Sequence, residues 1–225
     1  MNAPKMERLA AGVLLIAVVL GGCASMQTQR PTQPVPDLAH PKSSGLAIDV
    51  SLKPPLSLFG NPRPDQIYFA NIDVEGGLLQ QQVIGSNYSK DGRVYLLNAR
   101  PGVYVAVAAF YSVSSPPTGA QSYTTYFPNE LVEQTRVAVQ EGDFVFIGKY
   151  VVDLSVGLKG ADRVQIHYRD VIARRATPGG VFYVTDGYHY RGAPLERKID
   201  EQTRTEFGRK AKEDLAGSGW PTRIW

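Results

Sequence analysis

The stretch "GVYVAVAAFYSV", Gly102–Val113, alternates Val103, Val105, Val107 and Ala109 with Tyr104, Ala106, Ala108 and Phe110, so an extended chain here is apolar on both faces. Such a strand belongs in the centre of a sheet with cover on either side. "DFVFIGKYVVDL", 143–154, has the same character. Working outward, further period-two or β-rich runs are "LAIDVSL" (46–52), "QIYFANI" (66–72), "LLQQQVI" (78–84), "GRVYLLN" (92–98), "TRVAVQ" (135–140), "RVQIHY" (163–168) and "VFYVTDGYHY" (181–190). Turn-forming segments such as "SKDG", "ARPG", "QEGD" and "TPGG" separate them. Eight or nine short strands with no helical pattern between them predict a mainly β protein, an antiparallel β-sandwich over residues 46–193.

A sandwich leaves one face of each sheet to water, so the two-sided strands call for a further layer. Residues 194–225 supply a candidate. In "TRTEFGRKAKEDLAGSGW" the spacing of Thr203 and Glu206 suits a capping box, Phe207, Ala211 and Leu215 recur every four residues, and Gly217 or Gly219 suits the helix end. The expectation is one C-terminal helix, starting as early as Pro194, packed on the outer face of a sheet and pinned by Trp220.

The cadence of "VYLLNARPGVYVAVAAF" (94–110), repeated more weakly in "VQEGDFVFIGKY", resembles domains of the carboxypeptidase-regulatory-like and transthyretin-like sandwich group, which also occur in bacterial lipoproteins. The resemblance spans residues 46–155. It implies an accessory, binding or structural module and carries over no catalytic residue.

At the N-terminus Lys5 and Arg8 precede "LAAGVLLIAVVL", Leu9–Leu20, the charged-then-apolar order of an export signal over residues 1–22. As a helix this run spans about 18 Å, short of the roughly 30 Å of a bilayer core. "LGGC", Leu20–Cys23, resembles the bacterial lipobox, and Cys23 is the only cysteine of the 225 residues. That resemblance implies cleavage before Cys23 and transfer of a diacylglyceryl group to its thiol, with fatty acylation of the freed amine. Two or three chains, at about 0.8 kcal/mol per buried methylene, hold a protein durably on a membrane. Ala24 and Ser25 follow, neither being the Asp that retains lipoproteins in the inner membrane, so the expected destination is the outer membrane. Residues 24–45, with four prolines, three glutamines and no aromatic, are expected to form with Cys23 a lipidated, flexible tether, 23–45. A lone cysteine also means no disulfide in the exported domain.

Beyond residue 22 the chain carries 22 basic against 20 acidic groups, which gives no reason to expect a nucleic-acid partner. No G-x-S-x-G, phosphate-binding glycine loop or H-E-x-x-H occurs. His40 lies in the tether, while His167 and His189, with Asp170 or Asp186, are the only candidates for a metal or catalytic pair. Their place inside strand-like runs favours solvent-facing positions instead, so no metal, no cofactor and no catalytic residue is expected. Arg163, Arg169, Arg174 and Arg175 read as the solvated face of a strand. The connection "SSPPTGAQSYTTYFPNE", 114–130, is long enough for a binding loop or a packed cover, and its Tyr123, Tyr126 and Phe127 are the candidate partner-binding residues. The expected function is a lipid-anchored envelope lipoprotein acting as a non-catalytic structural or protein-binding module, with the membrane, through Cys23, and an envelope protein as partners. The alternative is an envelope hydrolase with an unrecognised carboxylate or histidine site.

Overall fold

The computed structural model describes residues 34–55, 61–72, 77–115, 119–175 and 188–225. Their elements, in chain order, are β1 (Ser44–Lys53), β2 (Gln66–Ile72), β3 (Ile84–Gly85), β4 (Tyr88–Lys90), β5 (Arg93–Ala99), β6 (Gly102–Ser115), β7 (Gly119–Tyr126), α1 (Asn129–Gln134), β8 (Val137–Val139), β9 (Phe144–Val156), α2 (Arg163–Arg175), β10 (Tyr188–Lys198) and α3 (Glu201–Asp214), followed by a 3-10 turn over Trp220–Arg223. The fold is mainly β, as its alternating runs predict.

The expectation of purely antiparallel pairing is corrected. One hydrogen-bonded sheet runs β3-β2-β6-β7-β10-β9-β1-β5-β4, with β8 also on β6, and it does not divide into two. Two pairs are parallel: β1 with β9, from Gly45 opposite Phe144 to Lys53 opposite Asp153, and β7 with β10, from Tyr123 opposite Tyr188 to Tyr126 opposite Arg191. Parallel neighbours need long crossovers, and the chain supplies them. The path from β7 to β10 takes in α1, β8, β9 and α2.

β6 is the hub. β2 lies along one side, while β7 pairs its Ala108–Ser115 half and β8 its first three residues on the other. The gap between β7 and β8 is closed by Phe127, whose N–H donates to the Val107 carbonyl at 3.0 Å, and by Thr135, whose Oγ1 accepts from the Ala106 N–H at 2.8 Å. Every residue from Tyr104 to Tyr111 is buried, as the two-sided apolar pattern demands.

Cover comes from more helices than the single one expected. The segment 163–168, expected as a strand, opens α2. Asp162 and Gln165 form a reciprocal capping box: the Gln165 N–H donates to Asp162 Oδ1 at 2.9 Å and the Asp162 N–H to Gln165 Oε1 at 3.0 Å. The buried residues Val164, Tyr168, Val171 and Ile172 then follow helical spacing into the main core, where α2 lies against β6, β7 and α1.

The C-terminal helix packs on the sheet where the sequence places it. Phe207, Ala211, Leu215 and Trp220 are buried in a second cluster with Ala47, Tyr95, Leu97 and Phe144, and Phe146 stacks on Phe207 at 4.0 Å. Its start differs: the cap is Asp200, whose side chain accepts from the Thr203 N–H at 2.8 Å, and Pro194 lies within β10. Gly217, at φ +83°, turns the chain out of the helix end.

Two loops also differ from expectation. Within 114–130, Ser114–Ser115 and Gly119–Tyr126 are paired strand, because β6 runs to Ser115 and β7 starts at Gly119; in "LLQQQVI" only Ile84 enters a strand. The tether expectation changes too, since Pro34–Lys42 is docked. Val35 and Leu38 pack into the second cluster, and the Trp220 indole N–H donates to the Pro36 carbonyl at 3.0 Å. Asn98 clasps the same strap, donating to the Asp37 carbonyl at 2.9 Å and accepting from the Ala39 N–H at 3.0 Å.

A candidate binding cleft between the sheet ends

The two ends of the sheet path approach each other, and between β2–β3 and β5 lies a cleft of about 660 Å3. Leu79, Ile84, Leu96, Ala99 and Tyr104 give it an apolar floor, while Asn71, Gln80, Gln81, Gln82, Asn98 and Arg100 stand around it. Five of those six are carboxamides, and each presents both donors and acceptors.

The walls are held from several directions. The hydroxyl of buried Tyr104 donates to the Arg100 carbonyl at 2.7 Å, which fixes the turn between β5 and β6. On the opposite rim α2 positions residues 78–82: the Tyr168 hydroxyl bonds to the Leu78 carbonyl, and His167 Nε2 lies 2.7 Å from the Gln80 carbonyl. A carbonyl only accepts, so that ring nitrogen carries its hydrogen. Gln80 folds back to donate to the Gly77 carbonyl at 2.7 Å. At the inner end, Asn71 lies over Gly102, where a Cβ would sit 2.6 Å from Asn71 Nδ2, so the side chain lies there because residue 102 has none. Asn98 takes φ +59°, a left-handed conformation that asparagine tolerates better than most residues, and from it clasps the strap beside the cleft.

Arg100 is exposed at the rim, and among the described residues it makes no ion pair. It is also the only ionisable side chain other than the Tyr104 phenol in the described lining.

The sequence-derived candidates lie elsewhere. Cys23, the export signal and the first part of the tether fall outside the described residues, as does Asp186. Tyr126 and Phe127 are fully buried, which leaves Tyr123 as the one of the three nearer the surface. Tyr123 stands in an aromatic row, its ring 4.9 Å from Tyr111, 5.3 Å from Tyr188 and 5.8 Å from Tyr190. Burial raises the Tyr123 phenol above its usual range, and the neighbouring tyrosines add to the effect.

His167 and His189 serve separate elements. His189 Nδ1 lies 3.0 Å from the Tyr126 hydroxyl, and its pKa is lowered, by burial first and by the charge of Arg169 second. Asp170 pairs with Arg169 at 2.6 Å. Among the described residues no three of His, Cys, Asp and Glu are grouped as metal ligands would be.

Sequence reasoning missed the cleft. Its signals were "QQQ", 80–82, read as part of the strand "LLQQQVI", and "NAR", 98–100, divided between the strand ending at Asn98 and the turn "ARPG". No protein-family model, no curated protein and no solved structure matches the chain.

Proposed function

We propose that the protein is an envelope lipoprotein, held on the membrane by acyl chains on Cys23, whose β domain works as a non-catalytic protein-binding module. The observation that carries the anchor is the run of Lys5 and Arg8, the twelve apolar residues Leu9–Leu20 and "LGGC" in that order. The absence, among the described residues, of any helix long and apolar enough to cross a membrane is compatible with it.

The docked strap adds a geometric consequence. Eleven residue steps separate Cys23 from Pro34, so the anchor lies at most about 40 Å from the strap. An anchored Cys23 would therefore keep the Trp220 face, and the cleft rim at Asn98, near the lipid surface. By the same reading, Ala24 and Ser25 direct the protein to the outer membrane. The binding role is supported by the cleft, whose described lining offers amides and one guanidinium on an apolar floor.

Growing cells with a radiolabelled or clickable palmitate tests the anchor. The expected result is label on the wild-type chain and none on Cys23→Ala, which should also leave the membrane fraction. Equal labelling of both proteins sinks the reading.

A further inference from the structure

We propose that the face carrying Trp225 rests on the phospholipid surface itself, with the indole in the headgroup layer and Arg204 and Lys212 on either side of it. The inference deepens the anchored-lipoprotein reading and rests on its acyl anchor, while the cleft plays no part.

The first ground is an exposed indole held in place. Trp220 is wholly buried, whereas Trp225 is 38% exposed. The Trp225 ring lies 5.9 Å from Phe144, and the Arg204 guanidinium stands 4.5 Å over it. A Cβ on Gly208 would lie 3.3 Å from the Trp225 Nε1, so the bare backbone of residue 208 lets the ring settle against α3. A tryptophan so placed shows a wide apolar ring and one N–H to the outside, the combination that suits the boundary between hydrocarbon and water.

The second ground is position. The strap enters at Trp220, whose indole N–H donates to the Pro36 carbonyl, and Arg223 donates to the Pro41 carbonyl. Phe144 then bridges the two indoles, 6.2 Å from Trp220 and 5.9 Å from Trp225. Trp225 therefore sits two rings from the strap, and Cys23 lies at most about 40 Å from the strap's first residue. A tether of that reach holds the face at an effective concentration on the order of millimolar. A contact too weak to bring a free domain to a membrane is occupied by a tethered one.

The third ground is charge. Arg204, Gly208 and Lys212 follow one another at four-residue intervals along one stripe of α3, so the two cations flank the indole. Arg209, Lys210 and Lys42 are tied to Glu213, Glu206 and Glu141, and Asp214 to Arg93. Among the described residues of α3, the 3-10 turn and the strap, that leaves Arg204, Lys212 and Arg223 against Glu201 and Asp37 without an ion pair. The surplus is small, so the indole carries the contact and anionic lipid strengthens it.

The test reconstitutes the purified, acylated full chain into vesicles of phosphatidylcholine brominated near the headgroup, with and without added phosphatidylglycerol, and reads the emission of its two tryptophans. The expected result is quenching in the wild type, most of it lost in Trp225→Phe. Phosphatidylglycerol should deepen the quenching, and the double variant Arg204→Gln, Lys212→Gln should remove that difference. Unquenched wild type, equal quenching in Trp225→Phe, or a lipid preference unchanged in the double variant overturns the proposal. Flotation of the same vesicles separates this failure from failure of the anchor. A chain that floats unquenched keeps its anchor and loses this face, whereas one that does not float has lost the anchor and the contact with it.

Discussion

Arg93 and Arg100 bracket β5 seven residues apart, and the molecule treats them in opposite ways. Arg93 is drawn into the sheet's covered end. Its Nε donates to Asp214 Oδ2 at 2.5 Å and its Nη2 to Oδ1 at 2.9 Å, the Tyr95 hydroxyl adds a bond to Oδ2 at 2.7 Å, and the Asp214 side chain is only 2% exposed. Arg100 stands at the open end, exposed, and among the described residues it makes no ion pair. A buried charge is tolerable only when its partners are complete; one at a rim need not be paired by its own chain. The covered end is thus built for closure, by α3, and the open end keeps polar capacity in reserve.

The contrast is most strongly tested by breaking the closed end. Asp214→Ala should lower the free energy of unfolding by about 3–5 kcal/mol in urea titrations, because it strands Arg93 in a nearly dry site. The apolar triple change Arg93→Met, Tyr95→Phe, Asp214→Leu should recover most of that loss, since it removes every group needing a partner. A triple variant as unstable as the single one would show that the cluster does more than balance its own burial.

Next in size is Tyr95→Phe, which deletes one hydrogen bond to a carboxylate and should cost about 1.5–3 kcal/mol near neutral pH. Its pH dependence has a definite sign. Burial first, and the bond to Asp214 second, raise the Tyr95 pKa above its ordinary value near 10. Above pH 10 the unfolded chain releases the tyrosine proton while the folded chain keeps it, so the stability contributed by Tyr95 is complete below pH 10 and is lost as pH rises further. Unfolding curves at several pH values should therefore bring wild type and Tyr95→Phe together on the alkaline side; a constant gap up to pH 11 would contradict the burial argument.

What the sequence made legible was local. The double-sided apolar run 103–110 placed β6 in the centre, and Phe207, Ala211, Leu215 and Trp220 announced a helix and its anchor. The misread segments have physical reasons. In 163–168, Val164, Ile166 and Tyr168 mimic period two for six residues, and only the longer series through Val171 and Ile172, with the Asp162–Gln165 box, reveals a helix. The strap looked like a tether because composition registers side chains, yet Asn98 and Trp220 hold it partly through main-chain groups. Arg93 and Asp214 lie 121 positions apart, a pairing that only tertiary contact creates. The cleft failed to show for the same reason, its walls coming from β2, the 78–82 loop and β5, with nothing local to join them.

The smallest expected effect makes the sharpest comparison. Arg100→Gln should change the unfolding free energy by no more than about 0.5 kcal/mol, the ordinary range for an exposed position with no buried contact to lose. Arg93→Gln, the same substitution at the other end of one strand, removes a forked, buried charge and should cost several times more. If the two variants melt alike, then Arg100 also holds the fold together, and the open end is as closed as the other. If they separate as expected, the charge at the rim is one the fold does not need.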